Sequence, residues 1–164
     1  MEENKSTINP MNQETVIAVP DYQQVDGRNA YASAITEITL GTPKLAVNQK
    51  MEIAAQIWQK DADGQPTLAL ELPVHQVLDL GIIVTQTMLH FKEAYRFPKM
   101  YPENQPVLAR VGLQGSAMTV QVNEENPEVV ADLKKFDQAL ANLGELTGER
   151  LRVLTRLINE LAEY

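Results

Sequence analysis

The chain has 164 residues, of which 44% are hydrophobic, with a formal net charge of −8 and no cysteine. That length suits one compact domain burying roughly two thirds of its unfolded surface, and the missing cysteines exclude disulfide frameworks, thiolate nucleophiles and cysteine-type zinc sites. An acidic balance of this size repels the phosphates of duplex nucleic acid and anionic membrane surfaces, so neither is expected as a partner.

Residues 1–14 are polar, without the apolar run of a signal peptide, and read as a disordered tail ahead of a single α+β domain over 15–164. Near 35–40, Ile38 and Leu40 alternate with Glu37 and Thr39, predicting a strand that Gly41-Thr42-Pro43 ends. Met51, Ile53, Ala55 and Ile57 alternate with Glu52, Gln56 and Trp58. Asp61-Ala62-Asp63-Gly64 then supplies turn residues, and Leu68, Leu70 and Leu72 alternate with Ala69 and Glu71. The pattern predicts a hairpin over 51–72 with its aliphatic face toward a core, and places Trp58 on the opposite face.

After Pro73 the period lengthens, predicting a helix over 74–96. Val77, Leu80, Val84, Met88, Phe91 and Tyr95 share one side, expected to be buried. His75, Asp79, Gln86, His90 and Glu93 share another, interrupted by Ile82 and expected to be solvated. Strands follow near 107–111 and 117–122 around Gly112-Leu113-Gln114-Gly115. Asn126-Pro127 resembles a cap and first turn for a helix over 127–143, and Gly144 precedes a last helix over 145–163. Leu151, Leu154, Ile158 and Leu161 line one side of that helix. Early strands and late helices predict an α+β fold with a mainly antiparallel sheet packed on these helices. The longest apolar region, 77–89, is too short and too interrupted to cross a bilayer.

Two groups of residues carry chemistry. Residues 90–101 hold four of the nine aromatic residues and three of the fourteen Lys/Arg. Residues 91–119 carry +2, whereas 1–50, 51–90 and 120–164 carry −2, −4 and −4. Lys92, Tyr95, Arg96, Lys99, Tyr101 and the nearby Arg110 are therefore candidates for binding an anionic ligand, by stacking and charge. A structural reading competes: the aromatics continue a helix face, and the cations oppose the helix dipole. His75 with Asp79 and His90 with Glu93 have spacings that let each pair chelate a divalent ion from one helix face. The histidines stand roughly 22 Å apart along a helix, so neither pair completes the other. No other cofactor is expected. Ser116 lies outside any Gly-x-Ser-x-Gly elbow, and the glycines at 112 and 115 lack phosphate-loop spacing.

Asp26-Gly27-Arg28-Asn29-Ala30-Tyr31, Leu72-Pro73-Val74-His75 with Leu78-Asp79-Leu80, His90 through Arg96, Gly112 through Gly115 and Gly148-Glu149-Arg150-Leu151 together resemble a small uncharacterised bacterial family with no assigned activity. The resemblance covers most of the chain after the tail. It implies a bacterial, cytoplasmic, single-domain protein and carries over no catalytic residue.

Two functional classes remain. One is a non-enzymatic cytosolic binding or interaction protein that self-associates, as a homodimer or with a protein partner, through the C-terminal helices or the face bearing Trp58. The other is a small metal-dependent hydrolase acting on an anionic substrate through a His/carboxylate pair of the long helix. A weaker third reading is a DNA-mimic inhibitor displaying the acidic charge.

Overall fold

The structure, a computed structural model, describes residues 14–25 and 33–164. The expected tail, apart from Glu14, and the Asp26–Tyr31 motif lie outside the described residues. The chain forms two compact units, Met1–Gly81 and Ile82–Tyr164, with the division falling inside the long helix.

In the first unit, β1 (Thr15–Val19), β2 (Ile35–Gly41), β5 (Ala54–Lys60) and β6 (Pro66–Pro73) form an antiparallel sheet in the order β1-β2-β5-β6. Two short strands, β3 (Lys44–Leu45) and β4 (Met51–Glu52), pair separately. The sequence pattern had merged β4 into the hairpin and did not show β1 or β3. The β5–β6 turn has a local cause. Asp61 Oδ1 accepts the N–H groups of Asp63 and Gln65 at 2.9 and 2.8 Å, and Gly64 takes the positive φ of +75° that closes the loop.

Two expectations for this sheet need correcting. Strict alternation of Leu68, Leu70 and Leu72 fails because the β5–β6 register shifts between Ile57 and Trp58. Leu72 and Leu70 pair with Ala55 and Ile57, but Leu68 comes opposite Trp58, the displacement a β-bulge produces. The aliphatic face is also not the best-buried one. Leu70 and Ile17 are exposed, whereas Thr39 and Gln56 on the opposite face are buried, at 1% and 6% exposure.

The long helix α1 (Val74–Glu93) follows Pro73 directly, its first N–H donating to the Ile53 carbonyl at 2.9 Å. It ends three residues earlier than expected, in a 3₁₀ turn over Ala94–Arg96. Of its predicted buried stripe only Phe91 is buried. Val77, Leu80, Val84 and Tyr95 are exposed, while Asp79, Gln86 and His90 from the expected solvated side are half-buried.

In the second unit, β7 (Val107–Gly112) and β8 (Ala117–Gln121) form a hairpin, followed by α2 (Val129–Asn142) and α3 (Gly144–Ala162). Asn126 does not cap α2 as expected. Its Oδ1 accepts from the Glu128 N–H at 3.0 Å in a turn ahead of the helix, and its Nδ2 donates to Asp132 at 2.9 Å. Phe91, Ala94 and Met100 form the core here, with Leu133 and Leu140 packed against them. The Phe91 and Phe136 rings stack with centroids 5.2 Å apart. The architecture is α+β, with three antiparallel sheets and three α-helices among the described residues. No helix among the described residues is long and apolar enough to cross a membrane.

Replacing a buried aromatic at such a centre removes both its transfer energy and its packing. Phe91→Ala is expected to lower stability by about 3 kcal/mol in equilibrium urea unfolding; a loss below about 1 kcal/mol would show that Phe91 does not organise this core.

Candidate functional site

Arg96, Lys99 and Tyr101, among the predicted basic and aromatic residues, each have their own partners. Arg96 pairs with Glu93 at 3.6 Å and Lys99 with Glu103 at 3.4 Å, both exposed. Tyr101 is buried and donates its phenol to Glu124 Oε2 at 3.0 Å. The acceptor carboxylate, with a smaller contribution from burial, raises the Tyr101 pKa above the usual tyrosine range. Lys92 and Tyr95 face solvent, and Arg110 lies exposed on β7 in register with Thr119. Tyr101 is thus a structural residue, and the Arg96 and Lys99 charges are met by neighbouring carboxylates.

The metal candidates fall into two pairs, one in each unit. His75 is exposed and Asp79 half-buried in the first unit. In the second, His90 Nε2–H donates to the Met100 carbonyl at 2.8 Å, anchoring a non-glycine residue held at φ +67°. Among the described residues no three His, Asp or Glu side chains come close enough to hold an ion.

The best-organised polar arrangement involves residues that periodicity did not single out. On the buried face of the four-stranded sheet, Trp58 Nε1–H donates to Thr39 Oγ1 at 2.9 Å. Thr39 donates to Gln56 Oε1 at 2.9 Å, and Gln56 Nε2 donates to Glu71 Oε2 at 2.7 Å. The strand registers bring these together: Thr39 pairs with Gln56 across β2–β5, and Gln56 with Glu71 across β5–β6. The chain has one direction, because an indole can only donate and a carboxylate only accepts. Glu37, in register with Trp58, has its pKa raised by burial. One sequence signal pointed here: Trp58 shares its strand face with Gln56, and a buried indole N–H requires an acceptor.

Glu71 is where this chain reaches a recess of about 210 Å³ that Lys44, Leu45, Glu52, Ile53 and Pro73 also line. Lys44 is bound there by Glu14. Glu14's hydrogen bond first, and its charge second, raise the Lys44 pKa, with a smaller contribution from the charge of Glu71.

Thr39→Val withdraws the acceptor of the Trp58 N–H and a donor to Gln56, whereas Trp58→Phe removes only the first donor. Thr39→Val is expected to cost about 2 kcal/mol and Trp58→Phe about 1 kcal/mol in chemical denaturation; the reverse order would show that the hydroxyl is not the centre of the chain. His90→Ala is expected to cost about 1 kcal/mol through loss of its bond to Met100, equally with and without zinc. A zinc-induced rise in Tm that the variant loses would instead reveal a metal site.

A family model described as a family of unknown function, DUF6530, matches residues 6–164. No curated protein and no solved structure matches the chain.

Proposed function

Because the chain belongs to the DUF6530 family of unknown function, no activity comes to it from relatives, and we propose that it is a non-enzymatic binding protein of the bacterial cytoplasm that assembles with a second copy of itself through α3. The observation that carries this reading is the apolar side of that helix. Leu154 is 47% and Leu161 75% exposed, and Val153, Leu157 and Ile158 are similarly open. Most helical stability in proteins comes from packing an apolar face rather than from intrinsic propensity.

Leu151, Leu154, Ile158 and Leu161 follow the 3-4-3 spacing of a two-helix seam. Covering five half-exposed side chains on each copy gains roughly 1 kcal/mol apiece, on the order of 10 kcal/mol for the pair. Association costs about 4–15 kcal/mol, so the balance fits a reversible, concentration-dependent dimer. Charge supports a second copy as the occupant: Glu145, Glu149 and Glu160 balance Arg150, Arg152 and Arg156, leaving α3 neutral within a chain of net −8. Two copies can meet along it without the repulsion imposed by the rest of the chain. Trp58, the other interface candidate, uses its N–H within the sheet, so the reading rests on α3.

Sedimentation or light scattering across micromolar concentrations is expected to show a monomer–dimer equilibrium that Leu154→Glu with Ile158→Glu abolishes. Arg156→Glu, at an exposed position, is expected to weaken it at low salt without unfolding the chain. A monomer at all concentrations, or a dimer that both changes leave intact, overturns the proposal.

A further inference from the structure

Beyond self-association, we propose that Asp63 is a site of spontaneous backbone modification: its side chain closes onto the Gly64 nitrogen and the link reopens as isoaspartate, resetting the β5–β6 turn. In the closing step a bond forms between the Gly64 nitrogen and the carboxyl carbon of Asp63. The amide proton and the hydroxyl of the acid leave together as water. A second water then opens the five-membered succinimide at either carbonyl. Opening at the side-chain carbonyl restores aspartate, whereas opening at the main-chain carbonyl carries the backbone through the side chain as isoaspartate. The water lost in the first step is regained in the second, so atoms balance and nothing is oxidised or reduced.

The turn holds two aspartates in contrasting states. Asp61 is engaged: its Oδ1 accepts the Asp63 and Gln65 N–H groups at 2.9 and 2.8 Å, and the following Ala62 carries a β-carbon that crowds the attacking nitrogen. Asp63 is exposed, and among the described residues no hydrogen bond or ion pair holds its carboxylate. The residue after it is glycine, whose nitrogen no β-carbon shields. The space where a β-carbon would stand at Gly64 is open. A free acid, an unshielded nitrogen and room to rotate are what the closure needs. The chain's other Asp-Gly junction, Asp26-Gly27, lies outside the described residues.

The same turn supplies a gate. Gly64 N–H donates to the Asp61 carbonyl at 3.0 Å and Asp61 N–H to the Gln65 carbonyl at 2.8 Å, so the nitrogen is released only when the loop opens. An exposed turn opens at far lower cost than the strands it joins. The product matters because loop length and turn type set the register of a hairpin. Gly64 closes this loop at φ +75°, and isoaspartate adds a methylene to the backbone one residue earlier. The added atom breaks the fit of Asp61 to its two N–H partners. The pairs nearest the turn are Lys60 with Pro66, Gln59 with Thr67 and Trp58 with Leu68, so the modification loosens the hairpin from its turn end.

The experiment incubates the full chain for weeks at mildly acidic pH, where the carboxylic acid that loses its hydroxyl is populated, then digests it and locates isoaspartate by electron-transfer fragmentation. A peptide of unchanged mass and altered retention, with isoaspartate at position 63, is expected to accumulate at least fivefold faster than at Asp61 or Asp137. Asp63→Glu, which can close only through a larger ring, is expected to suppress it at least fivefold. Asp61→Ala, which loosens the gate, is expected to accelerate it. The separated isomer is expected to show shifted amide NMR signals over residues 60–66 and a lower Tm. No excess at position 63, or equal yield in Asp63→Glu, overturns the proposal. Equal or slower formation in Asp61→Ala overturns the gate, and unchanged amide signals in the isomer overturn the resetting of the turn. Should Asp63→Glu fail to fold, Gly64→Asn, which tolerates positive φ while shielding the nitrogen, is judged by the same fivefold criterion.

Discussion

The hydroxyl of Thr39 is the point on which the first unit turns. It accepts from an indole on β5 and donates to an amide on the same strand, and that amide passes the chain to a carboxylate on β6. Three strands are thereby tied by side chains as well as by their backbone ladders. An aliphatic residue at Thr39 would pack as well but would say nothing about register. A polar chain with one allowed direction ties Trp58 to its position after the bulge, and the bulge in turn determines which side chain of β6 faces which of β5.

The second unit depends on a more familiar constraint. Phe91 closes the core with Phe136, Ala94 and Met100. The neighbouring His90 reaches the carbonyl of Met100, whose backbone occupies the left-handed region. The histidine thus stabilises a turn that β-carbon sterics disfavour. The basic and aromatic segment gets its order from this packing: Tyr101 is buried against the acidic loop at Glu124, and Arg96 and Lys99 settle onto nearby carboxylates. A cluster conspicuous in sequence is accounted for mainly by helix termination and core formation.

Both units share an inversion. On the sheet, polar Thr39 and Gln56 are deeper than Leu68 and Leu70; on α1, Asp79, Gln86 and His90 are less exposed than Val77, Leu80 and Val84. Hydrophobic patterning assumes that the aliphatic side of an element is the buried one. On the sheet, Thr39, Gln56 and Glu71 hydrogen-bond one another, which offsets most of the cost of burying Thr39 and Gln56. The aliphatic side is then free to serve elsewhere. The open apolar side of α3 belongs to the same pattern, and it is the surface on which the proposed dimer rests.

Sequence by itself determined the α+β class, the hairpin turn at Asp61–Gly64, the long helix after Pro73, the hairpin around Gly112–Gly115 and a break between the last two helices, which falls at Leu143, one residue before Gly144. These depend on local causes: side-chain period, a fixed proline φ and, at Gly64, the positive φ that glycine allows. Periodicity missed β1 and β3: β3 has only two residues, and β1 forms an edge strand whose pairing with β2 is decided by a distant partner. The candidate site was legible only as a hint, in Trp58 lying on the face opposite Ile57. That its N–H meets Thr39, that Gln56 continues the chain, and that Glu71 ends it beside Lys44 and Glu52 are consequences of register. Register is a relation between strands, so only the tertiary structure decided it.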